Sequence, residues 1–269
     1  MKLTVRGARG SVPVAGAAFA TYGGQTSCYQ LDIGGKQIYL DAGSGIIPAS
    51  FDVAKSTYIL LSHLHLDHIQ GLPFFSGLTH GESRIHIYGN VGDGAEYSGI
   101  QEAINTAFGK PFWPLTIDEY PATVDWQDIR VGDCLTFEPN VEVTTMASNH
   151  PGGSIIYGIR AEGYYVVYAT DFEHGSAKDE ELIEFARDCD VLIYDGQYTR
   201  EEYKKFQGYG HSTKERGLEI LEACGGRQIL FSHYHTTHTD AFLAEEEKRL
   251  VAMDGRVRFA KVGEVIDFP

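Results

Sequence analysis

The sequence predicts a mixed α/β fold in which helices flank β-sheets. Short apolar runs of the kind found in strands recur along the chain, at residues 28–33, 37–40, 58–61, 85–88, 141–146, 154–160, 164–168, 191–194 and 229–231. Helical spacing of apolar residues is clearest at residues 95–107, 178–187, 213–223 and 241–253. Three of these four helices lie between or after the late strands, as expected for helices that cover sheets.

The predicted elements fall into three groups along the chain. Three strands come first, and residues 76–132, which include the predicted strand at 85–88, then form a segment rich in Gly, Pro and aromatic residues, which we interpret as an excursion from the main framework. Three further strands follow, and after them helices alternate with strands. The helix at 213–223 has a start signal, because Ser212 and Glu215 have the spacing of a capping box.

Length and composition indicate a globular protein with a single domain, residues 1–269. A chain of 269 residues is within the range of one large α/β layered domain, and a hydrophobic fraction of 43% allows a substantial core. The formal net charge of −15 argues against the broad positive surface that a long nucleic acid requires. We therefore expect a small anionic substrate.

Several features predict a cytoplasmic protein without membrane association. The N-terminal residues lack the apolar core of a signal peptide, and no run approaches the roughly 18 apolar residues of a membrane span. No C-x-x-C pair is present, so we interpret the cysteines as reduced and buried. They are Cys28, Cys134, Cys189 and Cys224.

Several predicted strands end directly before a residue that can bind a metal or transfer a proton. These residues are Asp41, His63, Asp171, Asp195 and His233. A rigid framework that repeatedly presents such side chains at strand ends indicates one convergent site.

The strongest local signal is the run HLHLDH at residues 63–68, which has four potential ligands after a buried strand. In an extended segment His63 and His65 point the same way, because side chains alternate with period two, so both could bind one ion. As the chain turns, Asp67 and His68 could face a second ion. Imidazole and carboxylate ligands suit zinc, and manganese, iron or nickel would also accept them.

This run matches the H-x-H-x-D-H signature of the metallo-β-lactamase superfamily, which the chain resembles over nearly its whole length. Within that superfamily it looks most like the branch that contains ribonuclease Z and bacterial cyclic phosphodiesterases. The motifs that carry the likeness are RGSVP at 9–13, YGGQTSC at 22–28, LDAG at 40–43, NHPGG at 149–153 and YGHST at 209–213. The resemblance implies a four-layer αβ/βα sandwich with metals at one sheet edge.

The resemblance also implies two divalent metal ions, with Zn²⁺ favoured and Mn²⁺ or Fe²⁺ as alternatives. One ion would be held by His63, His65 and His150, and the other by Asp67, His68 and His233, with Asp171 bridging them. In sites with ions about 3.5 to 4 Å apart, a shared water is acidified and becomes the nucleophile.

Further roles follow from the same resemblance. His211 matches the histidine of the family's H-S-T motif, which would contact the scissile phosphate and stabilise charge or protonate the leaving oxygen. Asp195 would orient this imidazole. Asp67 would have a catalytic role in addition to its role as a ligand. Asp41 would accept a hydrogen bond from a ligating histidine and is not itself predicted to be a ligand.

The run SHYHTTHTD at residues 232–240 offers three histidines where the resemblance implies one ligand. His233 is favoured because it directly follows the apolar strand, and His235 is the alternative. His238 would contact substrate or cap the next turn. The remaining histidines are interpreted as surface or hydrogen-bonded side chains: His80, His86 and His174.

The favoured function is hydrolysis of a small phosphodiester, such as a cyclic nucleotide or a cyclic ribose phosphate. A ribonuclease Z-like role in tRNA 3′-processing is the nearest alternative. Only 21 positions separate His150 from Asp171, which leaves no room there for a long tRNA-binding arm, and the net charge of −15 opposes binding of a polyanion.

Three other functions are alternatives to phosphodiester hydrolysis. A lactone or thioester hydrolase would use a similar site, with Tyr194 or Tyr198 polarising a carbonyl. A β-lactamase is disfavoured because Asp171 replaces the family's usual cysteine ligand. A non-catalytic, metal-dependent sensor is the alternative from another class. A homodimer is implied by the resemblance, because members of this branch often form dimers.

Overall fold

A computed structural model describes residues 1–268 and contains two seven-stranded sheets. In spatial order, the first sheet consists of β14 (Val265–Asp267), β1 (Lys2–Gly7), β2 (Cys28–Ile33), β3 (Lys36–Leu40), β4 (Ser56–Leu60), β5 (Arg84–Gly89) and β6 (Thr123–Asp128). The second consists of β13 (Val257–Phe259), β12 (Ile229–Ser232), β11 (Val191–Asp195), β10 (Tyr164–Ala169), β9 (Ile155–Ala161), β8 (Val141–Ala147) and β7 (Cys134–Phe137).

The two sheets share one pattern of strand directions. In the first sheet the pairs from β14 to β3 are antiparallel and those from β3 to β6 are parallel. In the second the pairs from β7 to β10 are antiparallel and those from β10 to β13 are parallel. Since parallel strands present their carboxyl ends at one edge, the residues that follow β3, β4, β10, β11 and β12 can meet there.

Apolar alternation explains how the sheets are covered. Ile38 and Leu40 of β3 lie in the core cluster shared with the second sheet, whereas Tyr39 lies in a separate cluster on the outer face. Across the interface between the sheets, the rings of Tyr29 and Tyr168 lie 5.6 Å apart. Alternate residues of β3 therefore bury against opposite layers, as period-two side chains require.

Helices cover the outer faces of both sheets. The six helices within residues 1–268 are α1 (Leu66–Ile69), α2 (Ile100–Ala107), α3 (Lys178–Phe185), α4 (Arg200–Phe206), α5 (Lys214–Cys224) and α6 (Asp240–Met253). On the first sheet α2 packs against β6, and on the second α3, α5 and α6 pack against β8, β11, β12 and β13. The predicted four-layer αβ/βα sandwich is thus confirmed. Among these described helices, none has the length and apolar character needed to cross a bilayer.

All nine predicted strands are present, and several further elements are not foreseen by the sequence. The first predicted helix begins only at Ile100, five residues later than expected. α4 was not predicted from apolar spacing, because none of its residues is buried. Its N-terminus is instead stabilised by a capping box of Thr199 and Glu202. The short or polar strands β1, β6, β7, β13 and β14 also lack a predicted counterpart.

The segment 76–132 is only partly an excursion. It contains β5, α2 and β6, so two of its stretches are strands of the first sheet and a third is the helix that covers them. Residues 90–99 and 108–122 are the parts that leave the framework. The Gly and Pro content marks these connections, and of the two strands between and after them only β6 was not predicted.

Two local predictions need correction. The residue that caps α5 is Thr213, whose hydroxyl accepts from the Arg216 amide, and not Ser212. The Ser212 hydroxyl is occupied elsewhere, 2.7 Å from the Tyr194 hydroxyl oxygen. Among the four cysteines, Cys134 is exposed because it opens the edge strand β7, whereas the other three are buried.

Candidate metal centre

The HLHLDH run changes from extended to helical structure in its middle. β4 ends at Leu60, the chain stays extended through His65, and α1 begins at Leu66. The rings of His63 and His65 lie 4.3 Å apart, as expected for side chains two residues apart in an extended segment. Asp67 and His68 lie on the helix and so face a different direction.

His63 and His65 meet His150, which follows β8, to form a first group of ligand atoms. All three imidazoles offer nitrogens within 4.8 Å of one another. His150 Nε2 lies 3.2 Å from His65 Nδ1, and His150 Nδ1 lies 3.0 Å from the Gly210 carbonyl oxygen. Because a carbonyl only accepts hydrogen bonds, His150 Nδ1 carries the proton and Nε2 is left with a free lone pair.

Asp67 and His68 meet His233, which follows β12, to form a second group. Their ligand atoms also lie within 4.8 Å of one another. His233 Nε2 lies 3.2 Å from Asp67 Oδ2, and its Nδ1 lies 2.8 Å from Gln197 Oε1. The Ser11 amide donates to Asp67 Oδ2 at 2.7 Å. These contacts fix the orientation of both side chains.

Asp171, at the end of β10, lies between the two groups. Its Oδ1 is 3.8 Å from His63 Nε2 and 3.9 Å from His150 Nε2. Its Oδ2 is 3.1 Å from His68 Nε2 and 3.4 Å from His233 Nε2. One carboxylate oxygen therefore faces each group, which is the arrangement of a bridging ligand.

The backbone at this edge adopts a conformation that residues with side chains rarely take. Asp41, Asp171 and His233 have φ angles of 61°, 55° and 58°, in the left-handed region. Such a conformation costs about 1–3 kcal/mol per residue and is typical of functional sites. Asp41 and His233 directly follow a strand, and Asp171 lies two residues after the last residue of β10. The left-handed backbone conformation therefore changes the chain direction where each strand ends.

The donor atoms at this edge fit bound cations. His63 Nε2 is buried and lacks a hydrogen-bond partner within residues 1–268, and His68 Nε2 and Asp171 Oδ2, although 3.1 Å apart, are buried without a well-aligned hydrogen bond. Burying such polar atoms without partners is costly. Imidazole nitrogen and carboxylate oxygen are ligands that divalent metals such as zinc accept, so bound metal would supply the missing partners.

The protonation of the groups reflects strong local fields. Burial, with the nearby His68 charge, holds the pKa of His63 well below its ordinary value. Burial also opposes protonation of His233, but the carboxylates of Asp171 and Asp67 outweigh it and raise its pKa to about 9. The carboxylates thus draw positive charge into the second group.

Asp41 supports the second group from behind. It is fully buried, and its Oδ2 accepts hydrogen bonds from His68 Nδ1 at 2.6 Å and from the Tyr168 hydroxyl at 2.7 Å. The Ser62 amide donates to Oδ1 at 2.6 Å. Because Asp41 engages Nδ1, His68 Nε2 is the nitrogen that faces Asp171, and Asp41 itself stays outside the two groups.

His211 lies at the rim of both groups and pairs with Asp195. His211 Nδ1 is 2.9 Å from Asp195 Oδ2, and the His211 ring lies 5.4 Å from the His150 ring and 4.9 Å from the His233 ring. Asp195 is fully buried and also accepts from the Asp171 amide at 3.0 Å. Because a carboxylate accepts hydrogen bonds, it fixes a proton on Nδ1 and leaves Nε2 free of this contact.

The loop before His211 is held by Glu173, which the sequence does not single out. The Glu173 carboxylate accepts from the Gly208 amide at 2.6 Å and from the Gly210 amide at 2.8 Å. A Cβ at Gly210 would lie 2.1 Å from His150 Nδ1, and its φ is +89°, so a glycine is needed there. No local pattern marks Glu173, because its partners lie 35 and 37 residues away.

Other supporting contacts are equally absent from local sequence patterns. Gln197 follows Asp195 by two positions and orients His233, and Tyr168, on the inner face of β10, donates to Asp41. Ser11 belongs to the RGSVP motif, and its backbone amide, rather than its side chain, provides the contact with Asp67. A long-range fold is required before these roles can be assigned.

The remaining histidines lie outside the two groups. His235 Nδ1 is 2.8 Å from Thr237 Oγ1, and its ring stacks on Phe206 at 6.2 Å, so His233 is the histidine that this run contributes. His238 Nε2 lies 2.9 Å from Glu202 Oε1. The other three contact residues that are not among the proposed ligands: His174 with Ser212, His86 with Asp125 and His80 with Phe51.

A buried lysine next to this edge gives a stability prediction. Lys214 is fully buried, its Nζ lacks a hydrogen-bond partner within residues 1–268, and burial lowers its pKa to about 8. The folded chain therefore binds this proton less tightly than the unfolded chain does, and stability should rise with pH from about 8 to 10.5. We expect Lys214→Met to raise the free energy of unfolding at pH 7 by on the order of 3 kcal/mol.

Urea unfolding of the wild type and Lys214→Met at several pH values checks this expectation. The difference should vanish above pH 10.5, where the lysine is neutral in both states. Lys248→Met, at an exposed position of α6, serves as the matched control and should change little. Equal or lower stability of Lys214→Met at pH 7 would contradict the expected cost of the buried ammonium.

Comparisons with known proteins agree with this architecture. The family model described as "Beta-lactamase superfamily domain" matches residues 36–234, a range that includes both groups, His211 and Asp195. Ribonuclease Z of Bacillus subtilis (strain 168) is 23% identical over 262 residues, covering 77% of this chain and 79% of that protein. The probable metallo-hydrolase YhfI of the same strain is 26% identical over 278 residues, covering 98% and 99%.

A solved structure shows the same fold over the whole chain. The crystal structure described as a new diphosphatase from the PhnP family superposes with a TM-score of 0.71 at 17% sequence identity, covering 100% of this chain and 98% of that one. The family match spans more than half of the chain, and the relatives are metal-dependent hydrolases. The chain therefore belongs to the beta-lactamase superfamily and is a metal-dependent hydrolase with the metallo-β-lactamase fold.

Proposed function

We propose that this hydrolase cleaves a small phosphodiester, such as a cyclic nucleotide or a cyclic ribose phosphate, with two divalent ions. The observation that carries the proposal is the position of Asp171, which presents one oxygen to each group of ligand atoms, with His211 at the rim of both. This arrangement suits a phosphoryl centre that is held between two cations while a histidine acts from one side.

The proposed ligands of one ion are His63, His65 and His150, and those of the other are Asp67, His68 and His233, with Asp171 shared. Zn²⁺ is the favoured metal, and Mn²⁺ or Fe²⁺ would fit the same donors. When bound, the ions would neutralise phosphate charge and lower the pKa of water. Asp67 serves as a ligand and, by its charge, would also help to orient the nucleophile, which is the catalytic role predicted for it.

His211 would act on the leaving group. Asp195 accepts from Nδ1–H, so when both ring nitrogens carry a proton, Nε2–H can donate a hydrogen bond or a proton to an oxygen of the substrate. Thr213 caps α5 two residues later, so the amino end of an 11-residue helix lies close by. Its partial positive charge favours an anionic substrate.

The relatives support phosphoester chemistry. The names of ribonuclease Z of B. subtilis and of the PhnP-family diphosphatase both denote hydrolysis at phosphorus, of RNA in the first and of a diphosphate in the second, and both match most of the chain. A tRNA substrate is the second candidate, favoured by the similarity to ribonuclease Z. Against it, residues 155–169 between His150 and Asp171 are taken up by the β9–β10 hairpin, and the net charge is −15.

A substrate panel distinguishes the candidates. We expect the protein reconstituted with Zn²⁺ or Mn²⁺ to hydrolyse bis(p-nitrophenyl) phosphate and at least one cyclic nucleotide, and to lose this activity after chelation. Precursor tRNA at low salt and a set of lactones and thioesters test the alternatives. Inactivity toward every phosphodiester, with both ions bound, would refute the proposal, and correct cleavage of precursor tRNA would favour the second candidate. The cytoplasmic location and the homodimer stay predictions.

A further inference from the structure

A cavity opens beside the first group of ligand atoms, the group formed by His63, His65 and His150. It has a volume of about 480 Å³, and its lining includes Asn90, Arg130, Asn149, His150 and Ser154. His150 is thus shared between this cavity and the proposed ligands. A cavity of this size is within the range of about 300–1,000 Å³ that is typical of small-molecule sites.

One wall of the cavity carries a cation without a partner. Arg130 lies in the connection between β6 and β7 and is exposed, and within residues 1–268 only its backbone, not its guanidinium, makes hydrogen bonds. Its backbone is fixed, because its amide donates to Asp133 at 2.8 Å and its carbonyl accepts from Thr145 at 3.0 Å. In a chain with a net charge of −15, a fixed position with a free guanidinium is well suited to an anion.

The cavity also carries a hydrogen-bond acceptor. Asp93 lines it, is exposed, and has its backbone held by its amide, which donates to the Gly152 carbonyl at 2.9 Å. At the same cavity, Ser154 has a buried hydroxyl that lacks a partner within residues 1–268. The walls therefore offer donors for an anion together with an acceptor for hydroxyl groups.

We propose that this cavity binds a hydroxylated oxyanion, that is, a carboxylate or phosphate group attached to a polyol or sugar. Arg130 would bind the oxyanion through two parallel hydrogen bonds, and Asp93 would accept from the hydroxyl groups. As a substrate site, the cavity would hold the part of the molecule beyond the scissile phosphodiester. That assignment depends on the proposed function, whereas binding of the oxyanion does not.

Calorimetric titration of the metal-loaded protein tests the binding. Glucose 6-phosphate and gluconate are the probes, and they distinguish a phosphate from a carboxylate. We expect Arg130→Gln to weaken binding of the preferred probe by about tenfold or more, and Arg130→Lys to restore part of it. Arg227→Gln removes the same charge from a side chain that is 77% exposed elsewhere and should leave binding unchanged. Equal affinity of wild type and Arg130→Gln for both probes, or binding of neither probe to the wild type, overturns the proposal.

Kinetics separate this proposal from the proposed function. Bis(p-nitrophenyl) phosphate carries no second anionic group, so its turnover reports on the metal centre, and the control Arg227→Gln should leave its kcat/KM unchanged within about twofold. The preferred probe should inhibit wild type more strongly than Arg130→Gln if the cavity is part of the active site. If the protein binds a probe through Arg130 but cleaves no phosphodiester, the proposed function is refuted and the oxyanion site is supported. If it cleaves phosphodiesters but its binding of the probes does not depend on Arg130, the oxyanion site is refuted and the proposed function is supported.

Discussion

Replacing His211 by Ala should lower kcat by about 10²- to 10⁴-fold while leaving the metal content unchanged. The magnitude is typical for the loss of a positioned general acid or charge-stabilising group. His211 lies at the rim of both groups, but its Nδ1 is engaged by Asp195 at 2.9 Å, so it is not among the proposed ligands. Turnover of bis(p-nitrophenyl) phosphate and elemental analysis of the same samples measure the two effects.

Two further variants sharpen this prediction. His80→Ala removes an exposed histidine that stacks on Phe51, and it should have wild-type turnover. Asp195→Asn should retain the metals and shift the pH profile of kcat, because the amide no longer fixes the proton on His211 Nδ1. Unchanged turnover in His211→Ala would remove this histidine from the mechanism, and loss of metal would make it a ligand.

Replacing Asp171 by Asn should cost at least one of the two proposed ions and nearly all activity. Its two oxygens face different groups, at 3.8 Å from His63 Nε2 and 3.1 Å from His68 Nε2, and no other carboxylate among the described residues faces both groups. Removing its charge weakens both sites together. Elemental analysis after gel filtration, with calorimetric titration of Zn²⁺, measures the loss.

The matched control for Asp171 is Asp179→Asn, which changes another buried carboxylate. Asp179 bonds the Gly175 amide and Arg216, away from the two groups. This variant should lose some stability and keep its metal content. If Asp171→Asn retained two ions with wild-type affinity, the shared position of this carboxylate would be wrong and each group would have to hold its ion independently.

The sequence predicts the fold well where apolar periodicity dictates it. The nine predicted strands are found, because buried strands need a characteristic apolar spacing, whereas the four-layer arrangement was implied by the family resemblance and not by periodicity. Elements with little buried surface, such as α4 and the edge strand β7, have no such spacing and are missed. The N-terminus of α5 is misplaced by one residue because Ser212 is engaged by Tyr194 and cannot cap.

The sequence by itself also determined which residue types lie at the sheet edge that holds the candidate metal centre. A buried strand ends where its apolar run ends, so the polar residue that follows lies at that edge. Asp41, Asp171 and His233 follow strands in this way. Only the tertiary structure decided how these side chains combine: His233 rather than His235 faces Asp67, and Asp171 lies between both groups. The reason is that local spacing sets the direction of one side chain, whereas a shared site depends on distances between strands far apart in the sequence.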